Sequence, residues 1–542
     1  MKKHFAARAL SILLILPLLL SCFGGCSSAD PQQSASLPPE SATADSSSPD
    51  SLTVTKLSNA PKLGYYEIFV GSFYDSDGDG MGDLQGVIQK LDYLNNPENE
   101  DCLGINAIWF MPINPSPTYH KYDVTDYYDI DPAYGTMADF DELLSLCDAR
   151  GIDIIVDLVL NHSSSQHPWF KEASAALKEG SASPYVDYYN FSETKVGTSY
   201  YRVPGTEYWY EAGFWSEMPD LNMDCQELRG EIAEISRFWL EKGVRGFRLD
   251  AAKHVYNTPA QNAEFWTWFS AMCKDIREDV FLIAEVWDSD NVMIPYYDTG
   301  LSAVFNFNFA GYAGAINQNV SRGDGATMAA NIERWDKLIR SRNPDGINSP
   351  FLSNHDTDRS AGYITDITQR KLQAAVYLLI PGSPFIYYGE EIGMTGRGRD
   401  ENKRTAMYWS ASDSTGITRN PYGTEAGVKP PEQGVDAQLA DPDSLLNYYR
   451  AILKLKAKFP DIMDGAVTGK IAFDDRTICA FYAGDVVVLH NFSGETTELD
   501  VSIIEAPGGP LKLGGYVCPN GEEAKLADGI LTVPPYSSMV LA

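Results

Sequence analysis

Ionisable side chains end four of the apolar segments in this sequence of 542 residues. A single acidic residue at the end of a strand is unremarkable, because it often caps the following helix. Four such segments that converge on one place would supply carboxylates and imidazoles for acid–base chemistry. In chain order, the segments end in Asp157, Asn161 and His162; in Arg248, Asp250, Lys253 and His254; in Glu285; and in Asn354, His355 and Asp356.

Asp250 and Glu285 have surroundings that suit two different roles. Arg248 lies two residues before Asp250, and therefore on the same face of a strand, so we expect its guanidinium to keep Asp250 ionised. Glu285 follows Leu-Ile-Ala and precedes Val-Trp, and apolar surroundings raise the pKa of a carboxyl group. Hydrolysis of a glycosidic bond requires one ionised carboxylate and one protonated carboxyl. The sequence thus predicts a nucleophile at Asp250 and a general acid at Glu285.

Histidines are concentrated at the same segments. The chain contains seven histidines in all. Four of them lie at the predicted strand ends or in the loop after the second predicted strand: His120, His162, His254 and His355. A structural use would scatter them along the chain, so we interpret this group as part of one site.

Short apolar runs alternate with helical patterns from Gly64 onward, and these are the elements that must position the side chains. Repeated strand–helix units predict a parallel sheet of the α/β class, and eight of them predict a closed (β/α)8 TIM barrel. In such a barrel the carboxyl ends of the strands form the active face. The predicted strands cover 65–73, 105–113, 152–160, 246–251, 280–287, 303–309, 350–354 and 384–388.

Two regions depart from the barrel pattern. A stretch of about seventy residues, rich in Tyr, Ser, Pro and Gly, follows the third predicted strand, and a loop of that length is typical of a functional insertion. After the helix predicted at 444–458, short β-rich runs predict a C-terminal antiparallel β-sandwich. The predicted domains are the barrel at 59–162 and 218–460, an inserted domain B at 163–217, and the C-terminal domain at 461–542.

The four polar segments resemble, in order and on the expected strands, the four signature regions of the α-amylase family, glycoside hydrolase family 13. The resemblance extends from about Gly64 to the C-terminus. It implies a retaining double displacement, with Asp250 as nucleophile and Glu285 as general acid and base. It also implies that Asp356 is the third carboxylate, which grips sugar hydroxyls and helps to stabilise the oxocarbenium-like transition state.

The same resemblance implies roles for polar residues around these carboxylates. Arg248 matches the residue that orients the nucleophile. Asp157 either binds substrate or only holds Arg248. His162 and His355 match hydrogen-bonding partners of the sugar at the cleavage point. Asn161 matches a calcium ligand of some relatives, with support of the long insertion as the alternative.

Two further segments resemble family positions that contact the sugar chain. The sequence Tyr-His-Lys-Tyr-Asp at 119–123 resembles a loop in which a tyrosine stacks on the sugar and a histidine bonds to it, which gives Tyr122 and His120 these roles. The family usually has glycine where this chain has Lys121. Lys253 and His254 resemble the pair that binds the leaving-group side in members acting on α-1,4 chains.

The sequence Met-Pro-Asp-Leu-Asn at 218–222 resembles the fifth family region. Its residues are intermediate between those of oligo-1,6-glucosidases and those of neopullulanases.

The first expectation for the activity is an α-amylase that cleaves α-1,4 bonds in starch or maltodextrins. Alternatives are a cyclomaltodextrinase, a neopullulanase, an α-1,6-glucosidase or a 4-α-glucanotransferase. A non-catalytic starch-binding surface lipoprotein is a further alternative, but it predicts loss of a catalytic carboxylate, and all three are present.

A run of alternating aspartates follows the first predicted strand. Its carboxylates and glycines suit a tight loop around a hard cation such as Ca2+, and the family resemblance adds a backbone carbonyl ligand. A solvated acidic turn is the alternative interpretation. The predicted ligands of a structural calcium ion are Asp75, Asp77, Asp79, Met81 and Asp83.

The N-terminus has the proportions of a bacterial lipoprotein signal. Basic residues precede an apolar run at 10–20, which is short for a membrane span. The run leads into Leu-Leu-Ser-Cys22, which resembles a lipobox, with Cys26 as a second candidate. We therefore predict a signal peptide at 1–21, lipidation of Cys22, and a Ser/Pro-rich tether at 22–58. A plain secretory signal is the alternative.

The net charge of −32 disfavours nucleic acid and anionic lipid headgroups as partners. The predicted partners are a neutral α-glucan and, through the lipid anchor, the membrane. The predicted location is the extracellular face of a bacterial membrane, and the predicted state is a monomer.

Cys479 and Cys518 either pair with each other or remain buried free thiols.

Overall fold

The computed structural model describes residues 61–99, 101–505 and 509–542. The predicted signal peptide at 1–21, the tether at 22–58, and the lipidation candidates Cys22 and Cys26 lie outside the described residues. Among the described residues, no helix combines the length and the apolar character needed to cross a membrane.

Strands and helices alternate through most of the described chain. The strands are β1 Tyr65–Ile68, β2 Ala107–Phe110, β3 Asp153–Leu158, β4 Phe191–Ser192, β5 Tyr200–Arg202, β6 Trp209–Glu211, β7 Gly246–Leu249, β8 Phe281–Ala284, β9 Ala303–Phe305, β10 Ile347–Ser349, β11 Phe385–Tyr387, β12 Gly469–Lys470, β13 Ile478–Ala483, β14 Val486–Asn491, β15 Thr497–Asp500, β16 Leu513–Val517, β17 Lys525–Ala527, β18 Ile530–Val533 and β19 Ser538–Leu541. The helices are α1 Leu84–Gln89, α2 Leu91–Leu94, α3 Met137–Asp148, α4 Pro168–Glu179, α5 Gln226–Lys242, α6 Pro259–Ile276, α7 Asp290–Met293, α8 Ala315–Arg322, α9 Gly325–Arg342, α10 Ile367–Leu378, α11 Asp400–Lys403, α12 Val435–Ala440, α13 Leu445–Ala457 and α14 Asp461–Asp464.

Eight parallel strands form the central sheet in the order β10-β9-β8-β7-β3-β2-β1-β11. A parallel bridge between Phe351, just after β10, and Phe385 of β11 joins the two edges of this sheet. The strands approach closely at Gly246, where a Cβ atom would lie 1.8 Å from the carbonyl oxygen of Phe281. The predicted (β/α)8 barrel is therefore confirmed.

The seventh barrel strand lies earlier in the chain than predicted. The apolar run favours a strand at 350–354, whereas the hydrogen-bonded strand is β10, Ile347–Ser349. The centre of β10 is the buried polar residue Asn348, whose side chain accepts a hydrogen bond from Asn306 at 3.1 Å. A polar residue that is satisfied inside the barrel weakens the apolar signal of its strand, so the prediction shifted to the more apolar residues that follow.

Aromatic rings fill the interior of the barrel. Because side chains alternate along a strand, Tyr65 of β1 points inward and Tyr66 packs outward with the residues that face the helices. The ring of Tyr65 stacks on Phe385 with centroids 4.5 Å apart, and Trp109 lies 5.2 Å from Phe305. The alternation also turns Glu67, two residues after Tyr65, towards the interior face.

Helix α5 illustrates how the outer layer forms. It buries Leu228, Ile232, Ile235 and Trp239, a spacing that keeps one apolar stripe against the barrel. Gly243 caps its C-terminus, with a φ of 117° that glycine readily adopts. The chain then enters β7 directly, so this helix delivers the strand that carries Arg248.

The insertion after β3 contains α4 and a small antiparallel sheet in the order β4-β6-β5. A bridge between His162 and Asp220 joins the beginning of the insertion to its end. A second bridge between Tyr189 and Leu221 continues this contact. The insertion therefore leaves and rejoins the barrel beside the end of β3.

The C-terminal region forms two antiparallel sheets, in the orders β12-β13-β14-β19-β16 and β15-β18-β17. Apolar residues of both sheets share one core, including Leu489, Met539, Leu531 and Val533. This arrangement confirms the predicted C-terminal antiparallel β domain. Cys479 and Cys518 are both free thiols, as are the remaining described cysteines.

Candidate active site

A cavity of about 570 Å³ lies at the carboxyl ends of the barrel strands. The three predicted catalytic carboxylates, Asp250, Glu285 and Asp356, all line it. The polar segments identified in the sequence therefore meet at one place, as barrel geometry requires. The other lining residues are His120, Tyr122, His162, Phe214, Met218, Ala251, Lys253, His254, Trp287, His355, Asp400 and Arg404.

The buried guanidinium of Arg248 binds three carboxylates at once. Its Nη1 lies 2.5 Å from Oδ1 of Asp250 and 2.9 Å from Oδ1 of Asp157. Its Nη2 lies 2.7 Å from Oε2 of Glu285. Because Arg248 is planar and only 1 % exposed, it fixes the relative positions of these carboxylates.

The turn after β7 brings the two catalytic candidates together. Ala251 adopts a φ of 44°, a left-handed conformation that is uncommon for a residue with a side chain. This turn directs the backbone N–H of Ala251 at Oε2 of Glu285, at a distance of 3.0 Å. Backbone strain at such a position is typical of functional sites, where the surrounding structure maintains it.

Burial raises the pKa of both Asp250 and Glu285, and Arg248 opposes that rise in each. The negative charges of Asp250 and Asp356 raise the pKa of Glu285 further. The expected contact between Arg248 and Asp250 is present and favours the ionised form, but desolvation is the larger effect on the pKa of Asp250. A raised pKa at Glu285 suits a general acid, as predicted from its apolar neighbours.

Asp356 has the opposite environment. Arg404 Nη2 lies 3.0 Å from its Oδ1, and His355 Nε2 lies 3.0 Å from its Oδ2. Although burial favours the neutral acid, His355, Arg404 and Arg248 together hold the pKa of Asp356 well below its ordinary value. Asp356 is therefore an ionised carboxylate that faces the cavity.

Both ring nitrogens of His355 face acceptor groups of the protein. Nδ1 lies 2.6 Å from Oε1 of Glu67, and Nε2 lies 2.7 Å from the hydroxyl of Tyr122. Burial lowers the pKa of His355, but Asp356 and Glu67 outweigh it and raise the pKa to about 9. His355 is thus a charged part of the cavity wall, with its polar atoms already engaged.

The loop at 119–123 keeps its turn although lysine replaces the usual glycine. Lys121 adopts a φ of 68°, and its Nζ lies 2.6 Å from Oδ2 of the buried Asp131. Nδ1 of His120 accepts a hydrogen bond from the backbone N–H of Tyr122 at 3.1 Å. Burial lowers the pKa of His120 to about 4, so the neutral ring carries its proton on Nε2. That N–H is available to a ligand.

His162 contributes its ring rather than a free polar atom. Its Nε2 lies 3.2 Å from the carbonyl oxygen of Tyr122, and its Nδ1 lies 3.2 Å from the side-chain amide of Asn161. The half-exposed ring of Phe214, from the insertion, lies 5.5 Å from the ring of His162 and 5.3 Å from that of His254. The insertion therefore supplies one wall of the cavity.

Lys253 and His254 lie on the side of the cavity formed after β7. Lys253 Nζ donates to the carbonyl oxygen of Trp287 at 2.7 Å and lies 2.9 Å from Asp288. The half-exposed indole of Trp287 stacks on Phe307 with ring centroids 4.9 Å apart. This side thus presents a flat aromatic surface beside a cation.

Asp157 does not line the cavity. It is 3 % exposed, and both of its oxygens accept hydrogen bonds from Arg248, at 2.9 and 3.1 Å. The hydroxyl of Tyr122 donates to it as well, at 3.1 Å. These contacts fit the alternative in which Asp157 holds Arg248 rather than substrate.

The acidic loop after β1 brings three of its predicted cation ligands together. Carboxylate oxygens of Asp75, Asp77 and Asp83 all lie within 4.8 Å of one another. Asp79 is outside this group, and its Oδ1 accepts the N–H of Met81 at 2.7 Å. An oxygen-only donor set fits a hard cation such as Ca2+.

Sequence reasoning missed three charged residues that the fold brings to the site. Glu67 stands alone among apolar residues of the first strand, and a charged residue in a fully buried strand was the signal that could have identified it. Arg404 and Asp400 follow the last barrel strand in a long irregular segment, where no periodicity marks them. Both line the cavity.

The sequence-family model of the alpha-amylase catalytic domain matches residues 67–465 of the chain. Among curated relatives, "Alpha-amylase 3" of Dictyoglomus thermophilum is 40 % identical over 459 residues, which cover 81 % of this chain and 88 % of the relative. An oligo-1,6-glucosidase of Parageobacillus thermoglucosidasius is 29 % identical, and the alignment covers 80 % of this chain and 90 % of the relative. Among solved structures, Eubacterium rectale Amy13B superposes with a TM-score of 0.83 at 37 % identity, covering 89 % of this chain and 95 % of that one.

Proposed function

Because this chain belongs to the α-amylase family of glycosidases and hydrolyses α-glucans, we propose that it is a retaining enzyme that cleaves α-1,4 bonds in starch or maltodextrins. The observation that carries the catalytic assignment is Arg248, which holds Asp250 and Glu285 together in the cavity wall. A nucleophile and an acid must flank one glycosidic bond in this way.

In the first step, a carboxylate oxygen of Asp250 attacks the anomeric carbon of the sugar. The bond from that carbon to the leaving oxygen breaks, and Glu285 transfers its proton to that oxygen. Ionised Asp356 faces the positive charge that develops on the ring and accepts hydrogen bonds from its hydroxyls. The product is a glycosyl ester of Asp250 and a released saccharide.

In the second step, Glu285 accepts a proton from water as the water oxygen attacks the same anomeric carbon. The ester bond to Asp250 breaks, and its carboxylate is regenerated. Two inversions at one carbon retain the α-configuration. His120 and Tyr122 contact the sugar at the cleavage point, while Lys253 and His254 contact the leaving side.

The bond type is tested by products from soluble starch, pullulan, cyclodextrin and isomaltose. We expect linear maltooligosaccharides from starch, released first as the α-anomer, and little action on isomaltose. Rapid cleavage of isomaltose would instead indicate the α-1,6-glucosidase alternative, and preferred opening of cyclodextrin would indicate a cyclomaltodextrinase. Preferred cleavage of pullulan would indicate a neopullulanase, and longer chains from maltooligosaccharides would indicate a glucanotransferase. A starch-binding protein without activity is disfavoured, since Asp250, Glu285 and Asp356 of this chain all line the cavity.

The acidic loop is proposed to hold a structural calcium ion. Asp75, Asp77 and Asp83 would supply carboxylate oxygens, with Asp79 and the carbonyl oxygen of Met81 as the further ligands. A ligand that binds only the folded state raises its stability, so added calcium should raise the Tm and a chelator should lower it.

The calcium proposal has a matched control. Asp77→Asn should reduce the calcium-dependent shift in Tm, whereas the same change at the exposed Asp345, far along the chain in another loop, should leave it unchanged. An unchanged shift in Asp77→Asn, or no shift in the wild type, would favour the solvated acidic turn.

The N-terminal signal is proposed to anchor the enzyme at the outer face of a bacterial membrane through lipidated Cys22. The support is the lipobox-like sequence before it. Expression with a radiolabelled fatty acid should label the wild type and not Cys22→Ser, while Cys26→Ser keeps the label. Loss of label only in Cys26→Ser would move the anchor to that residue, and absence of label in the wild type would favour a plain secretory signal.

A further inference from the structure

Glu67 is a buried carboxylate that none of the proposed catalytic steps uses. It lies on β1, and its residue is 1 % exposed. Its Oε1 lies 2.6 Å from Nδ1 of His355 and 3.3 Å from the backbone N–H of the same residue. Among the described residues, His355 is the side chain that forms an ion pair with Glu67.

A buried carboxylate is costly unless a cation stands beside it. His355 meets that need only when the ring is protonated on both nitrogens. A neutral ring that donated from Nδ1 to Glu67 would instead present the lone pair of Nε2 to Oδ2 of Asp356, 3.0 Å away. Two acceptors at that distance repel each other.

We propose that Glu67 is a positioning residue that holds His355 in its doubly protonated form, so that the ring acts as a fixed cation behind Asp356 in the catalytic centre. This inference rests on the proposed function for the role of Asp356. It adds a residue from β1 to a site that otherwise draws its charged groups from later strands and loops.

The protonated ring also fixes the direction of a hydrogen-bond chain. If Nε2 donates to the Tyr122 hydroxyl at 2.7 Å, that hydroxyl is free to donate to Oδ2 of Asp157 at 3.1 Å. Asp157 in turn accepts from Arg248. If Nε2 were an acceptor, Tyr122 would have to donate to it and would lose its bond to Asp157. Glu67 thus supports the placement of Arg248 through three intervening side chains.

The other charged groups around the ring act in both directions. Asp356 favours the charged ring, and Asp157 and Asp250 lie near enough for the ring to influence their ionisation. The positive charge of Arg404 opposes protonation of the ring. Arg404 lies in the segment after β11, and its Nε donates to the carbonyl oxygen of His355 at 3.3 Å. The edge of Trp109 packs against the ring with centroids 5.6 Å apart. Glu67 is the carboxylate that lies within hydrogen-bond distance of Nδ1.

The direct test is a pH titration of the His355 ring. It is monitored by the nitrogen chemical shifts of the ring in protein that is isotopically labelled at histidine. The chain has seven histidines, and the signal of His355 is identified by its loss in His355→Asn. We expect the wild-type ring to remain charged until about pH 9. In Glu67→Gln, loss of the adjacent charge should lower that midpoint by about 1 to 3 pH units.

The second readout is the ratio of kcat/KM between the wild type and Glu67→Gln as a function of pH. At a pH where His355 is charged in both proteins, the ratio should be near one, and it should grow as the variant ring loses its proton. A purely structural defect would give the same ratio at every pH. Glu391→Gln is the matched control, since it makes the same change at another buried carboxyl, one that accepts from Tyr66 and Tyr93 outside the cavity.

The inference is overturned if the His355 ring of the wild type is neutral at pH 7, a result that needs no variant to fold. It is equally overturned if the ring titrates at the same pH in Glu67→Gln. These outcomes are separable from failure of the proposed function, because a wild type that cleaves no α-1,4 bond would still give an interpretable histidine titration.

Discussion

Two groups of buried carboxyls lie at the ends of barrel strands, and they are stabilised in different ways. Asp157, Asp250 and Glu285 share the guanidinium of Arg248 beside an open cavity. Cationic partners of this kind keep buried carboxylates charged or poised to lose a proton. Asp250 and Glu285, which line the cavity, can exchange protons with a molecule bound there.

The second group follows β11 and consists of Glu390 and Glu391. The carboxyl of Glu390 accepts from Ser353, Tyr377 and Tyr449 at 2.6, 2.9 and 3.1 Å. Glu391 likewise accepts from two tyrosine hydroxyls. Burial raises the pKa of Glu390 to about 7, and the hydroxyls only partly oppose that rise.

The difference between the groups lies in the donors rather than in the depth of burial. Hydroxyl donors satisfy a carboxyl in either protonation state, so the second group ties strands to helices without carrying a fixed charge. The guanidinium of the first group binds the ionised form and orients it towards a cavity. Buried acidic residues therefore indicate catalysis only when their partners and their access to ligand agree.

The largest expected difference between the two groups is in activity. Asp250→Asn and Glu285→Gln should each lower kcat/KM on maltooligosaccharides by on the order of 10⁴-fold, because each removes a group that the reaction needs. The control Glu391→Gln should remain close to the wild type. Near-wild-type rates in either cavity variant would remove the catalytic distinction between the groups.

Removal of the shared cation should have the next largest effect. Arg248→Met leaves three buried carboxyls without their cation, and losing one partner of a buried ion pair costs about 3 to 5 kcal/mol. The loss should be greater at pH 8 than at pH 5, since protonation relieves unpaired carboxylates. Urea unfolding at the two pH values measures it, and a stability equal to that of the wild type at pH 8 would show that Arg248 is not the stabilising partner.

Glu390→Gln should produce the smallest effect, and in the opposite direction. The folded pKa of Glu390, about 7, exceeds the ordinary value of 4.5. Its contribution to stability is therefore fully present below pH 4.5 and is lost as the pH rises through about 7. The variant has no carboxyl to titrate at this position. Its free energy of unfolding should therefore fall by on the order of 3 kcal/mol less than that of the wild type between pH 4 and pH 8. Parallel stability curves would argue that Glu390 stays ionised in the folded state.

Much of this site could be predicted because barrel strands deliver short, local signals. Asp250 and Arg248 sit two residues apart on one strand, and Glu285 ends an apolar run, so pattern and spacing sufficed. The signal for the proposed calcium loop is also local, since alternating aspartates and glycines stand within nine residues.

The residues that were missed depend on tertiary contacts. Glu67 becomes informative only when β1 and the segment after β10 place it against His355. Arg404 reaches Asp356 across 48 positions of sequence. The misplacement of β10 has a related cause, because Asn348 is acceptable in the barrel only through its partner Asn306. Sequence periodicity records burial well and records pairwise polar contacts poorly.

The shared guanidinium has a consequence for the timing of the proposed reaction. The negative charge of Asp250 is one of the forces that raise the pKa of Glu285. When Asp250 becomes an ester, that charge disappears while Arg248 remains, so the affinity of Glu285 for a proton falls. The residue that gives up a proton in the first step is thereby left as a carboxylate that can receive one from water in the second, and the formation of the bond at Asp250 is itself the signal for the change.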